Sequence, residues 1–457
     1  MRKILLTLLS VFSVIGAFAQ TTPAITFTAD VDGNTRDIEV ALSVDGTVQV
    51  DWGDGTLVTS DQIPAFDGWN QATITGTVKG EGKVKVYGDN IVYFTCISKI
   101  DGAQISELDV TNATALQQLY ANGNKLTSID LSKNTELTQL DVQNNKLESI
   151  DVSKNEKLTK LTVSNNLLTS IDITKNQALT TLYISDNKFA GALDLSANPT
   201  LKSVYALNNE ITSVNLGDNT ASKPYFSFNY NKLTSFDASK LTNLSNGTLF
   251  LIGNELTEIT MPADGIKTLN ISSNKFTLAT LPRFSSSRYT YAPQADYTVN
   301  ETYNVGDEID LSAQTDATIN TVFAVENGEG TALTEGTDYT VADGKVKLLT
   351  AQESAHITMA SEYYPKFTGT SIYKTTSFSV KAVTDGINDV DATSVKVVPT
   401  ASGLTVTGLV AGDNVMVCTV GGAVVANVKA GNSSVNIPAD KGVYVVKVND
   451  KTLKISK

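Results

Sequence analysis

The sequence predicts a mostly β chain in which a tandem-repeat solenoid is flanked by small β-sandwiches. Three observations predict it. Segments beginning at Leu116, Leu137 and Leu158 read LQQLYANGNKLTSIDLSKNTE, LTQLDVQNNKLESIDVSKNEK and LTKLTVSNNLLTSIDITKNQA, in register at a spacing of 21 residues. Asparagine recurs at a fixed offset, at Asn124, Asn145, Asn166, Asn187, Asn209, Asn231, Asn254 and Asn274. On both sides of the repeat, short alternating apolar runs are separated by Gly, Asp and Asn turns.

The repeat comes first because it organises the rest. A fourth copy starts at Leu179 and gains a residue near Gly191, and looser copies follow around Leu201, Tyr225, Leu249 and Leu269. One copy offers six apolar positions, for example Leu137, Leu140, Val142, Leu147, Ile150 and Val152. Each contributes roughly 1.5 to 3 kcal/mol when buried. Ordering the copy costs roughly 1 to 2 kcal/mol of backbone entropy per residue, so a lone copy does not fold and stacking is required. Within each copy the pattern L-x-x-L-x-L-x-x-N-x-L resembles the leucine-rich repeat family, and the resemblance runs from about Ile91 to Pro282.

The asparagine column reads as structural: an inward carboxamide bonds backbone groups where the chain leaves each short strand. A second column, Asn134, Asn155, Asn176, Asn198 and Asn219, is expected to do the same at the opposite corner. The aspartates Asp130, Asp151, Asp172, Asp194 and Asp237 read as a solvated face screened by Lys133, Lys154 and Lys175. Between the leucines, outward positions give Tyr120, Asp141, Thr162, Tyr183, Tyr205, Ser227 and Phe250. Two residues earlier they give Gln118, Gln139, Lys160, Thr181, Ser203 and Tyr225. Tyr120, Asp141, Lys160, Tyr183, Tyr205, Tyr225 and Phe250 are the candidate binding residues of a concave face. Exposed tyrosines bring much contact area at little rotamer cost, while cross-strand packing on a sheet accounts for them equally well without a ligand.

Residues 1–19 combine Arg2-Lys3, an apolar run from Ile4 to Ile15 and the ending Ala17-Phe18-Ala19, which fits a cleaved secretory signal too short to span a membrane. Residues 20–88 alternate as a small sandwich. There VQVDWGDGT from Val48 to Thr56 resembles PKD-type immunoglobulin-like domains, with Trp52 as core anchor. Asp51 and Asp54, or Asp30, Asp32, Asn34 and Asp37, invite a calcium reading, but turn hydrogen bonds are the plainer use of such carboxylates. The solenoid is assigned to 89–283, with a degenerate first copy in which Cys96 takes an apolar position.

Residues 284–384 read as one immunoglobulin-like sandwich, and both sandwiches are expected to cover the solenoid's ends. Residues 385–457 resemble the C-terminal sorting domain of type IX secretion substrates, through Gly421-Gly422, Gly442-Val443-Tyr444 and the closing lysines. Pro399-Thr400-Ala401 stands where that family commonly shows Pro-Asn-Pro.

Little chemistry is visible. The chain holds one histidine, His356, and two cysteines, Cys96 and Cys418, far apart in sequence. No His/Cys zinc set, phosphate loop or nucleophile motif is present, and no cofactor is expected. A net charge of −13 repels nucleic acid and anionic lipid. The whole resembles exported leucine-rich repeat proteins of the Bacteroidetes. That resemblance implies a non-catalytic secreted or cell-surface recognition or adhesion protein that binds an extracellular protein or glycan. The alternative is a carbohydrate-binding accessory protein that uses its sandwiches, with the solenoid as spacer.

Overall fold

The structure is a computed structural model, and it describes residues 22–457 apart from 32, 34, 98–103, 242, 264, 284–285, 383–394 and 450. The signal at 1–19 therefore lies outside the described residues, as do Asp32 and Asn34. Among the described residues there is no α-helix; strands and three single 3₁₀ turns make up the regular structure. The chain divides into two compact units. Of the described residues, the first takes those within 22–298, 310–324 and 357–376, and the second those within 299–309, 325–356 and 377–457.

The first unit opens with strands β1 (Ile25–Ala29), β2 (Thr35–Leu42), β3 (Gly46–Asp51), β4 (Leu57–Ile63), β5 (Ala72–Thr77), β6 (Lys83–Tyr87), β7 (Ile91–Thr95) and β8 (Ile105–Asp109). Their alternating burial puts Ile25, Phe27, Ile38, Val40, Val48, Val50, Val84 and Val86 into one core between two sheets. Trp52 is buried there with its ring flat on Gly76; a Cβ at Gly76 would lie 2.0 Å from the indole, so only glycine fits.

One of the two sheets continues into the repeats. The sheet that does not runs β4-β3-β6-β1-β8. The other begins β5-β2-β7, after which β7 pairs in parallel with β9 (Gln118–Tyr120), the first rung of the in-register repeats. The boundary drawn after residue 88 thus falls just before a strand that belongs to the sandwich and the solenoid at once. An apolar first repeat needs a partner on its outer side, and β2 supplies it.

The parallel ladder runs from β7 through β9, β10 (Gln139–Asp141), β11 (Lys160–Thr162) and β12 (Thr181–Tyr183). Past β13 (Ala190–Asp194) it takes up β14 (Ser203–Tyr205), and past β15 (Glu210–Asn215) it takes up β16 (Tyr225–Ser227). Past β17 (Ser235–Asp237) it adds β18 (Thr248–Phe250), and past β19 (Glu258–Thr260) it adds β20 (Thr268–Asn270) and β21 (Tyr289–Thr290). β13 pairs with β15, and β17 with β19, as short parallel sheets away from this ladder. Leu119, Leu140, Leu161, Leu182, Val204, Phe226, Leu249 and Leu269 are all buried at the middle of their rungs.

The first asparagine column does what its spacing predicts. Asn145 Nδ2 donates to Ala121 O and Val142 O, both at 3.0 Å, while its Oδ1 accepts the Leu126 amide at 3.0 Å. Asn166 repeats this with Val142 O, Val163 O and the Leu147 amide. Each ladder asparagine follows a residue in the left-handed region: Gly123, Asn144, Asn165, Asp186, Asn208, Tyr230, Gly253 and Ser273, with φ from 52° to 75°. That bend turns the chain off the ladder so that the carboxamide points inward. In the second column Asn155 Nδ2 donates to Leu131 O and Asn134 O, and Asn176 and Asn198 follow suit. Asn219 departs, with one bond to Leu201 O and its oxygen taking the Ala221 amide.

The repeat does not stop at 283. Tyr289 and Tyr291 are buried where earlier copies carry Leu and Ile, and Gln294 replaces the ladder asparagine, donating to Ile271 O and Tyr291 O and accepting the Phe276 amide. The longer glutamine reaches the same groups, so the coil closes one rung later than the leucine spacing indicates.

Segments 310–324 and 357–376, assigned from sequence to a sandwich spanning 284–384, cluster with this last coil. Buried Gln314 accepts the Leu278 amide at 2.9 Å, Tyr373 Oη donates to Phe276 O at 2.9 Å, and Tyr364 Oη donates to Leu281 O at 2.8 Å. These bonds satisfy backbone groups that the end of a stack leaves open.

In the second unit, strand Thr302–Asn304 runs parallel to Phe378–Lys381, and Tyr339–Ala342 and Lys345–Leu348 form a hairpin around Asp343-Gly344. His356 Nε2 lies 3.2 Å from Glu326 Oε2, half-buried on a strand. Residues 396–456 form a sandwich of a three-stranded and a four-stranded antiparallel sheet, with Leu404, Val406, Val415, Val417, Ile437 and Val446 as its core.

Candidate functional site

Strand alternation and in-register parallel pairing from β7 onward give the open face of the ladder two straight rows, with β2 joining antiparallel at Glu39. The small members Thr95, Thr162 and Ser227 are buried under their larger neighbours. One row reads Glu39, Thr95, Tyr120, Asp141, Thr162, Tyr183, Tyr205, Ser227, Phe250 and Asn270 in register across β2 to β20. The other places Lys160 and Tyr225 beside Gln118, Gln139, Thr181 and Ser203. All seven sequence candidates thus lie on this one face.

Four of them make continuous ring contact. Tyr183 and Tyr205 have centroids 4.7 Å apart, Tyr205 stacks on Tyr225 at 4.9 Å, and Tyr225 meets Phe250 edge-on at 5.6 Å. Tyr225 comes from the second row and covers the place where the first row has only Ser227. Lys160 Nζ lies 6.0 Å from the Tyr183 ring centroid, at the near end of this strip.

Tyr120 and Asp141 belong to a separate group. Tyr120 Oη donates to Gln139 Oε1 at 2.9 Å, and its ring lies 5.6 Å from Tyr93, which stacks on Phe66 at 5.2 Å. Burial pushes the Asp141 carboxyl above its ordinary value; the Gln143 amide and the charge of Lys160 offset only part of this. Burial and the nearby charge of Glu39 push the Tyr93 hydroxyl up to about 12. Phe66, from the loop after β4, is a member that periodicity does not reveal. The available signal is the turn-rich stretch PAFDGWN, which carries two aromatics between two strands.

Other candidates are structural. Asp51 Oδ1 accepts the amides of Gly53 and Gly55 at 2.9 Å, and Asp54 pairs with Lys79 at 2.7 Å. Asp30 pairs with Lys125 at 3.1 Å, and Asp37 accepts from Thr75. Cys96 is buried, and burial raises its thiol to about 12. The aspartate column is exposed, but backbone bonds matter more to it than the lysines do: Asp130, Asp151 and Asp172 each accept the amide two residues on. Among the described residues no group of three or more His, Cys, Asp or Glu is placed to hold a metal ion. No helix among them is long and apolar enough to cross a membrane.

Residues 114–155 match the family model for leucine-rich repeats in two copies. No curated protein matches the chain. Among solved structures, the chain is similar to InlP from Listeria monocytogenes, at 18% identity and a TM-score of 0.41, covering 64% of this chain and 81% of that one. It is also similar to the functional domain of InlJ from Listeria monocytogenes, at 19% identity and a TM-score of 0.38. That match covers 61% of this chain and spans 64% of the InlJ domain. The family match over 114–155 and the unbroken parallel ladder with its asparagine column identify the central part of this chain as a leucine-rich repeat solenoid.

Proposed function

We propose that the protein is a non-catalytic recognition or adhesion protein, exported and held at or beyond the cell surface, that binds an extracellular protein or glycan on the exposed face of its repeat ladder. The observation that carries this reading is the strip Tyr183, Tyr205, Tyr225 and Phe250, an aromatic surface on a rigid sheet. Rings already held by one another lose little freedom when a partner covers them. Export rests on residues 1–19, and a sorting role for 385–457 on the resemblance of that segment.

The test is an array of extracellular proteins and glycans probed with the full chain and with the Tyr183→Ala/Tyr205→Ala/Tyr225→Ala variant. Ligands captured by the wild type are expected to be lost by the variant while its melting stays cooperative. Equal capture by both refutes the site.

A second reading, glycan binding by the amino-terminal sandwich, is favoured by Trp69. The residue is 88% exposed on a turn that Asp67 fixes through the amides of Trp69 and Asn70. An exposed indole on a fixed turn is a stacking platform for a sugar ring. Loss of glycan capture in Trp69→Ala, with the tyrosine variant unaffected, selects this reading.

A further inference from the structure

The amino-terminal end of the same face differs in charge from the tyrosine strip. Phe66, Tyr93 and Tyr120 form a run of rings at 5.2 and 5.6 Å. Glu39 and Asp141 flank them in one register row: Glu39 opposite Thr95, Thr95 opposite Tyr120, and Tyr120 opposite Asp141. Besides burial, the charge of Glu39 acts on the Tyr93 hydroxyl and helps raise its pKa. Three strand spacings separate the two acids, about 14 Å.

Ring faces and carboxylates attract the same thing, a cation. The chain shows this preference internally: Lys160 Nζ lies 6.0 Å from the Tyr183 centroid and Lys366 Nζ 5.5 Å from that of Tyr291. A neutral sugar stacks on rings and can donate hydroxyls to the acids, but only a cation adds charge attraction to both.

We propose that Glu39, Phe66, Tyr93, Tyr120 and Asp141 form a subsite for a basic segment of a protein partner, laid extended across the rungs with Lys or Arg at positions i and i+4. Four residues of extended chain span about 13 Å and return to the same side, which matches the spacing of the acids. Asp141, half-buried and only partly compensated by Lys160, gains most from an arriving cation. The net charge of −13 steers a basic partner inward. The proposal rests on the reading of this face as the recognition surface and narrows its partner to a protein with a basic extended segment.

The test uses the full chain and a fluorescent seven-residue peptide of Thr and Ser with Lys at its second and sixth positions, compared with the same peptide carrying Gln there. The lysine peptide is expected to bind about tenfold more tightly at low salt, with the advantage shrinking as salt rises. Glu39→Gln/Asp141→Asn is expected to erase that advantage while its melting stays cooperative and no lower than that of the wild type, and Asp141→Glu to keep most of it. Should the double variant fail to fold, either single variant is expected to reduce the advantage at least twofold.

Equal binding of the two peptides, binding of neither, or an advantage that survives loss of both acids overturns the proposal. The Tyr183→Ala/Tyr205→Ala/Tyr225→Ala variant is expected to retain the advantage. A lost partner in that variant without any lysine preference in the wild type leaves the recognition face standing and removes this subsite. The reverse pattern removes the tyrosine strip and keeps the subsite.

Discussion

The rings of Tyr205 and Tyr225 stack at 4.9 Å and 23° although their backbones are out of register, Tyr205 standing opposite Ser227 and Tyr225 opposite Ser203. Ser227 is buried and small, and the Tyr225 ring takes the space that a larger residue there would fill. A double-mutant cycle with Tyr205→Ala and Tyr225→Ala is expected to give a coupling of about 0.5 to 1.5 kcal/mol in urea unfolding. Tyr183 and Tyr225, which share the Tyr205 ring as a partner, are expected to show a weaker coupling than the stacked pair.

In the second asparagine column Asn134, Asn155, Asn176 and Asn198 act through their amide nitrogens alone, their oxygens being buried without a partner among the described residues. Asn155 is fully buried, and its amide nitrogen serves Leu131 O at 3.1 Å and Asn134 O at 2.8 Å. Asn155→Ala strips both carbonyls at once and is expected to cost about 2 to 4 kcal/mol by denaturant unfolding. Asn219→Ala loses the bond to Leu201 O and leaves the part-exposed Ala221 amide to water, so it is expected to cost less, about 1 to 3 kcal/mol.

Gly253 is held by two separable constraints. Its φ is +67°, and a Cβ there would lie 2.6 Å from Tyr230 Cδ1. Gly253→Ala is expected to destabilise by about 2 kcal/mol or more. In a Tyr230→Ala background the steric part disappears and about 1 kcal/mol of backbone cost remains. Equal losses in the two backgrounds would show that the ring is no obstacle.

The carboxyls divide by environment. Bonds from the amide two residues on, and from the side chain there, hold Asp130, Asp151 and Asp172 below the ordinary value. Their stabilising effect is fully present above the unfolded value of about 3.9 and disappears as pH falls through the folded values. A carbon-detected NMR titration is expected to place all three below about 3.9. Asp141 runs the other way. Its folded value is raised by burial, so stability declines as pH rises from the unfolded value through the folded one. Asp141→Asn is expected to raise the melting temperature by about 1 to 2 °C at pH 7 and to leave it unchanged near pH 3.

Where a single residue type fulfils a single geometric need, the structure was legible in the sequence. Leu140 and Leu161 point inward because a strand alternates, and Asn145 and Asn166 point inward because the bend needs a carboxamide; the outward rows with Tyr183 and Tyr205 follow from the same alternation. Legibility failed where different residues meet the same need. Tyr289, Tyr291 and Gln294 complete a rung that reads as loop, and Gly123, Asn144, Tyr230 and Ser273 share a left-handed bend that no common side chain announces. It failed also for contacts distant along the chain, as when Phe66 joins Tyr93. Likewise, Gln314 and Tyr373, within a stretch that reads as a separate sandwich, bond the backbone of the last coil.

The most direct measurement of whether the ladder face recognises a partner is an oxidative footprint of the full chain with and without a ligand captured on the array. The account predicts protection of Tyr183, Tyr205, Tyr225 and Phe250, with Tyr303 and Tyr339 in the second unit unchanged. Protection confined to Trp69, or to residues 396–456, with the four rings modified at the same rate bound and free, would contradict it.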